Sequence, residues 1–240
     1  MKKRFSTKEV SELSTIPLPA MTDSYMPVSH TDLVLSIEKH IPPYWGLTSR
    51  NFEMAREGRQ MFGVMNFQAP GIHHNISIGF RNSYDKSVAV GLCSGAQVVV
   101  CSNLMFVGDI TKIRKHTTNV WEDLEDIIPS VIARADIAAE QATDDLIMFE
   151  QVGITDVEAA KILGDAYLNK DILNGVQMNK IKSSWKDGDY SPSGNLDDKF
   201  AERTLYALYG AATDALKSSH PSDAMEDYTK LHKHFKEYAI

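Results

Sequence analysis

The chain has 240 residues, 43% hydrophobic and 24% charged, a composition that suits a globular protein with a sizeable core. No apolar run approaches the roughly 20 residues of a membrane helix, and Met1-Lys2-Lys3-Arg4 is not followed by the apolar stretch of a secretory leader. The net charge of −7 is unevenly placed: residues 1–120 carry 13 Lys and Arg against 9 Asp and Glu, and residues 121–240 carry 12 against 23. That excludes a wholly basic nucleic-acid-binding domain but leaves room for a basic face on the first half.

Residues 1–30 mix polar residues with Pro17, Pro19 and Pro27 and hold no period, so they read as an irregular arm. Thr31-Asp32 can cap a helix over 33–40, which Pro42-Pro43 stops. Strands are expected over Tyr44–Phe52 and Arg59–Phe67, with a turn at Gln68–Gly71. Ile72–Arg81 alternates cleanly. Ile72, His74, Ile76, Ile78 and Phe80 share one face, expected buried; His73, Asn75, Ser77, Gly79 and Arg81 share the other, expected wet. Val88–Cys93 and Gln97–Cys101 are short apolar strands that Ser94-Gly95-Ala96 would join as a tight hairpin. On that hairpin Cys93 and Cys101, the two cysteines, sit several rungs apart, so they are expected as free, buried thiols of a reducing compartment.

From about Thr118 the period changes. Leu124, Ile128, Val131, Ala135, Ala138, Ala142, Leu146 and Phe149 step by three or four, the stripe of an amphipathic helix with a kink expected at Pro129. Its outer face carries Glu122, Asp123, Glu125, Asp126, Asp136, Glu140, Asp144 and Asp145. Thr155 and Glu158 form a capping-box pattern ahead of a helix reaching about Leu168. Residues 183–195 read as a loop, with helices near 196–217 and 222–238 closing the chain. The expected fold class is α+β: an antiparallel β-sheet meander in the first half, then a helical second half. The expected organisation is the arm 1–30, a sheet region 31–116 and an acidic helical region 117–240 packing on the sheet, with 31–240 as one domain.

Phosphate-binding glycine loops, dinucleotide fingerprints, zinc-protease helices and paired C-x-x-C motifs do not occur. Adjacent His73 and His74 point to opposite sides of a strand and cannot share an ion there. His232 and His234 diverge on a helix and are expected at the surface. Asp144-Asp145 and Asp197-Asp198 read as a helix face and a helix start. Neither catalytic residues, metal ligands nor a cofactor are assigned.

The turn Arg81-Asn82-Ser83-Tyr84-Asp85-Lys86-Ser87 admits two explanations. Asn82, Ser83 and Asp85 are turn formers that bind their own backbone. Alternatively the turn meets a ligand: Arg81 and Lys86 hold a phosphate, Asn82 and Asp85 orient it, and Tyr84 stacks on a base. Lys112, Arg114 and Lys115 form a second basic cluster that would join Arg81 and Lys86 in one groove if the strands bring them together.

Gly79–Ser87 followed by Val99-Val100-Cys101-Ser102-Asn103-Leu104 resembles the signature of the phage-, plasmid- and bacterium-encoded domain-of-unknown-function family numbered 932, with its "R-N-S-x-D-x-S" turn and "V-C-x-N-L" strand end. Thr204–Asp214 is similar to a further stretch of that family, "L-Y-N-A-x-T-E", with Gly210 in place of the Asn. The similarity spans roughly 62–216. It implies an origin in mobile elements and carries no catalytic residues with it.

These features point to a non-enzymatic phage or mobile-element protein of the bacterial cytoplasm. It would associate with nucleic acid, as a single-stranded DNA binding or annealing accessory factor does, through Arg81, Asn82, Tyr84, Lys86, Lys112, Arg114 and Lys115. The alternative is a protein-interaction, structural or host-takeover factor whose acidic helical half meets a basic partner or a second copy. An enzyme with a site around Asn82, Asp85 and Asn103 ranks third. No membrane partner is expected.

Overall fold

The computed structural model describes residues 5–70, 75–97, 104–106, 112–187 and 203–239. Its strands are β1 (Phe5–Thr7), β2 (Gly46–Ala55), β3 (Gln60–Gln68), β4 (Asn75–Ser83), β5 (Val90–Gln97), β6 (Leu104–Phe106) and β7 (Lys112–Arg114). They form one antiparallel sheet in the order β1-β2-β3-β4-β5-β6, and β7 also pairs with β5. The helices are α1 (Val10–Leu13), α2 (His30–His40), α3 (Val120–Ile132), α4 (Ala135–Gln151), α5 (Asp156–Leu168), α6 (Gly175–Asp187), α7 (Leu205–Leu216) and α8 (Ala224–Lys236). The fold is α+β, with the sheet in the first half and helices in the second. Among the described residues no helix is long and apolar enough to cross a membrane.

The expected hairpin at Ser94-Gly95-Ala96 does not form. β5 runs straight through it, with Ser94 opposite Ile78, Gly95 opposite Ser77 and Ala96 opposite Ile76. Small residues are needed there because both sides of β5 are covered; Ser94 is fully buried and Gly95 also pairs with Phe106. Cys93 is a buried free thiol, and Cys101 lies outside the described residues, as do His73, His74, Asp197, Asp198 and Asn103.

The wet face expected on β4 is also absent. Ser77 and Arg81 are buried just as Ile76, Ile78 and Phe80 are. The reason is a helix layer on each side. On the Phe80 side, Asn82 donates to the carbonyl of Val28, and Arg50 pairs with Glu38 of α2. On the Arg81 side, α8 lies against the sheet: Tyr228 meets Phe106 edge-on, and Met225 reaches Gly91. Strand alternation distinguishes two faces but cannot say that only one of them will be covered.

The N-terminal stretch is more regular than an arm. β1 pairs with β2, and Leu13, Tyr25 and Val28 are buried. α2 starts one turn earlier than expected, at a Ser29 cap whose hydroxyl accepts from Asp32 N–H. The long stripe divides at Ala133-Arg134, four residues past Pro129, which sits inside α3 and accepts from Ala133 N–H at 2.8 Å. The capping box forms as expected: Thr155 accepts from Glu158 N–H, and Glu158 accepts from Thr155 N–H. α6 occupies residues 175–187, so the expected loop at 183–195 begins as helix. In the helical half the core centres on Phe149, Tyr209 and Phe235, from α4, α7 and α8, whose rings meet at tilted or edge-on angles.

Candidate nucleic-acid interface

The end of the sheet that carries the 81–87 turn is built by four segments: the β2–β3 turn, the β4–β5 loop, residues 25–30 and residues 114–116. Arg56, Glu57 and Gly58 take left-handed backbone angles in the β2–β3 turn, a conformation that costs least at glycine. The Gly58 carbonyl accepts from His30 Nε2 at 2.9 Å. A carbonyl can only accept, so Nε2 carries the ring proton and Nδ1 accepts from Asn82 Nδ2, also at 2.9 Å. Burial holds the His30 imidazole down at a pKa of about 4, so the ring is neutral. Tyr84 stacks on it with centroids 4.0 Å apart, and its hydroxyl accepts from His30 N–H at 2.8 Å.

The turn is therefore sewn into the fold. Asp85 pairs with Arg56 at 2.8 Å and accepts from the backbone N–H and the hydroxyl of Ser87. Burial pushes the Asp85 carboxyl up, but the Ser87 and Arg56 hydrogen bonds outweigh it and hold it below its ordinary value. Ser83 closes the loop through the Val88 carbonyl at 2.8 Å.

The proposed contact residues separate into two groups. Arg81, Asn82 and Tyr84 are buried. Arg81 spends its guanidinium on the Ser222 carbonyl and on Glu226, Asn82 on Val28 and His30, and Tyr84 on His30. Arg81 Nε and Asn82 Oδ1 have no hydrogen-bond partner among the described residues, but both are buried, and none of the three turns a polar edge or ring face to solvent, which corrects their assignment as surface contacts; the covering helices and the 25–30 segment are the cause. Lys86, Arg114 and Lys115 are exposed. Lys112 pairs with Leu92 through its backbone, and its side chain lies outside the described residues.

The register sets the two basic segments on neighbouring strands but does not join their side chains in one groove, because Arg81 lies buried on the face of Gly91 while Arg114 stands on the opposite face with Val90. Arg81 faces Gly91 on β5, Gly91 faces Ile113 on β7, and Arg114 faces Val90. Tyr25, itself buried, links Lys86 to the 114–116 segment: Lys86 Nζ stands 4.3 Å from its ring centroid, and the His116 ring lies 5.6 Å from it. Its hydroxyl donates to the Tyr84 carbonyl at 3.1 Å. Arg114 also pairs with Asp123 at 3.5 Å. Tyr25, His30 and Arg56 escape a reading of the sequence, because each acts through partners 28 to 59 positions away and no local pattern marks them.

Both histidines expected at the surface of the last helix are buried. His232 Nε2 lies 2.9 Å from Asp145 Oδ2, which Lys236 also approaches at 3.1 Å. His234 Nε2 donates to the Ile162 carbonyl at 2.9 Å. Asp145 is thus a buried ion-pair partner rather than part of the solvated helix face. Among the described residues no group of three or more His, Cys, Asp or Glu could hold a metal ion. Comparisons with protein-family models, with curated proteins and with solved structures find no match to this chain.

Proposed function

We propose that this is a non-enzymatic phage or mobile-element protein that associates with single-stranded nucleic acid through the rim formed by Lys86, Arg114 and Lys115. The carrying observation is the convergence at Tyr25, which gathers Lys86 and the 114–116 segment at one end of the sheet. Lys86 and Lys115 make no ion pair among the described residues, so their charge is available to phosphates. Arg81, Asn82 and Tyr84 then serve as the scaffold that positions the rim. A salt titration of single-stranded DNA binding tests this. Each phosphate contact contributes about 0.7 to the slope of log affinity against log salt, so Lys86→Ala with Lys115→Ala lowers it by about 1.4. No binding at low salt, or an unchanged slope in the double variant, overturns the proposal.

A protein partner is the second reading, and one observation favours it. On α4, Ile137 and Ile147 are 51% and 49% exposed, within a stripe that also shows Asp136, Glu140 and Asp144. Exposed aliphatic side chains among acids suit a basic, partly apolar surface. Fluorescence anisotropy of a labelled Lys- and Leu-containing peptide, titrated with the native chain and with Ile137→Glu plus Ile147→Glu, tests this; binding that the double variant loses supports it, and no binding, or equal binding by both, rules it out.

A further inference from the structure

At the far side of the sheet a cleft of about 430 Å³ opens between β2–β3 and the junction of α7 with α8. That lies within the range of about 300–1,000 Å³ usual for small-molecule sites. Strand alternation builds its sheet wall. Ser49, Asn51 and Glu53 of β2 share one face with Phe62, Val64 and Asn66 of β3, in the pairs Asn51–Val64 and Glu53–Phe62. Leu216 and Lys217 close it from the end of α7, and Ala224 and Tyr228 from α8. Phe62, Val64, Leu216 and Tyr228 are buried and make an apolar floor.

Glu53 sets a carboxylate on the sheet wall, Lys217 is paired with Asp214 at 2.9 Å and Ser219 accepts from Gln177 at 3.1 Å; the remaining polar groups are of two kinds. Asn66 is locked: it donates to Ser49 Oγ at 2.9 Å and accepts from Ser77 Oγ at 2.6 Å. It orients the Ser49 hydroxyl, whose own proton then points elsewhere. Asn51 is half-buried, and its amide has no hydrogen-bond partner among the described residues. Lys8, at the mouth, has an exposed ammonium in no ion pair among the described residues. A half-buried amide without partners on an apolar floor, with an open cation beside it, asks for a ligand that supplies both.

We infer that this cleft binds a small organic anion, whose charged group meets Lys8 and whose hydrogen-bonding body meets Asn51 over the Phe62–Val64 floor. Two sources share that chemistry, a mononucleotide and an amino-acid-like dicarboxylate. The site is separate from the rim around Tyr25 and stands whether or not that rim binds nucleic acid.

Calorimetric titration of the full chain with thymidine monophosphate and, separately, with L-glutamate tests it, with inorganic phosphate as a third arm. Saturable binding of either organic anion, weakened about tenfold by Asn51→Ala, the size of one lost hydrogen bond to a ligand, and weakened also by Lys8→Glu, supports the proposal and names the source. Lys8 is exposed, so its variant tests the site even if Asn51→Ala lowers folding. Lys86→Ala with Lys115→Ala leaves this binding unchanged, which separates it from the rim. No saturable binding by any arm, binding of inorganic phosphate alone, or binding indifferent to both variants overturns it.

Discussion

Arg81 of β4 and Glu226 of α8, 145 positions apart, form an ion pair at 2.9 Å in which the arginine side chain is 7% exposed and the glutamate 46%. The Ser222 carbonyl takes a second N–H at 2.9 Å. The pair ties the last helix to the centre of the sheet, and it converts a residue that looks like a ligand contact into a structural one.

Removing one side of this pair should cost stability unequally. Glu226→Gln leaves a buried guanidinium without its counter-charge. Arg81→Met leaves a carboxylate that water can reach. The expected losses are about 2–3 kcal/mol for Glu226→Gln and less for Arg81→Met, read as shifts of the urea midpoint. Neither should alter the salt slope of DNA binding, since neither residue reaches the surface rim.

His30 makes the fold acid-sensitive. Its folded pKa of about 4 lies below its ordinary 6.5, so between those values the unfolded chain holds the extra proton and stability rises with pH. The contribution is fully present above pH 6.5 and is lost as pH falls toward 4. It amounts to about 3 kcal/mol at most. Burial also lowers the pKa of His116 and of His234, which adds to the slope in the same direction. Chemical denaturation across this range should show the loss, and His30→Gln should flatten it while lowering stability at neutral pH. An equal slope in the variant would place the sensitivity elsewhere.

Asp227 behaves in the opposite sense. Burial, with Asp223 and Glu226 close by, raises its pKa to about 6 against a hydrogen bond from Ser219. The folded state then holds the extra proton between 3.8 and 6, and stability falls as pH rises through that window. At neutral pH the half-buried carboxylate is a liability. Asp227→Asn keeps an acceptor for Ser219 and should raise stability at pH 7 by about 1–2 kcal/mol, discounted for partial exposure, with the gain gone below pH 4.

Gly63 is fixed by its neighbour across the ladder. A Cβ there would lie 2.2 Å from Cε2 of Phe80, in the centre of the sheet. Gly63→Ala should cost about 1–3 kcal/mol through displacement of that ring. Gly153, where a Cβ meets nothing within 4 Å, supplies the control: Gly153→Ala should be close to neutral. Thermal melts of the two variants decide it.

Much of this architecture was legible in local patterns. Alternation in Ile76–Phe80 specified a strand, the step of three or four from Leu124 to Phe149 specified helix, and Thr155 with Glu158 specified a helix start, because each depends on neighbours within a turn or a rung. Gly95 misled for the same reason, since a small residue suits a tight turn and a covered strand equally well, and only the pairing of β5 with Ser77 and Phe106 distinguishes them.

By itself, then, the sequence determined the α+β class, with the sheet in the first half and helices in the second, and the division of charge between the halves, all properties of short-range periodicity and composition. Tertiary structure alone decided which polar residues meet water. Arg81, Asn82, Tyr84, His232 and His234 carry nothing local to say that a helix layer or a returning segment will cover them, because burial depends on contacts made tens to more than a hundred residues away. The same long-range packing set Lys86 and His116 against Tyr25 and left Asn51 and Lys8 facing an open cleft.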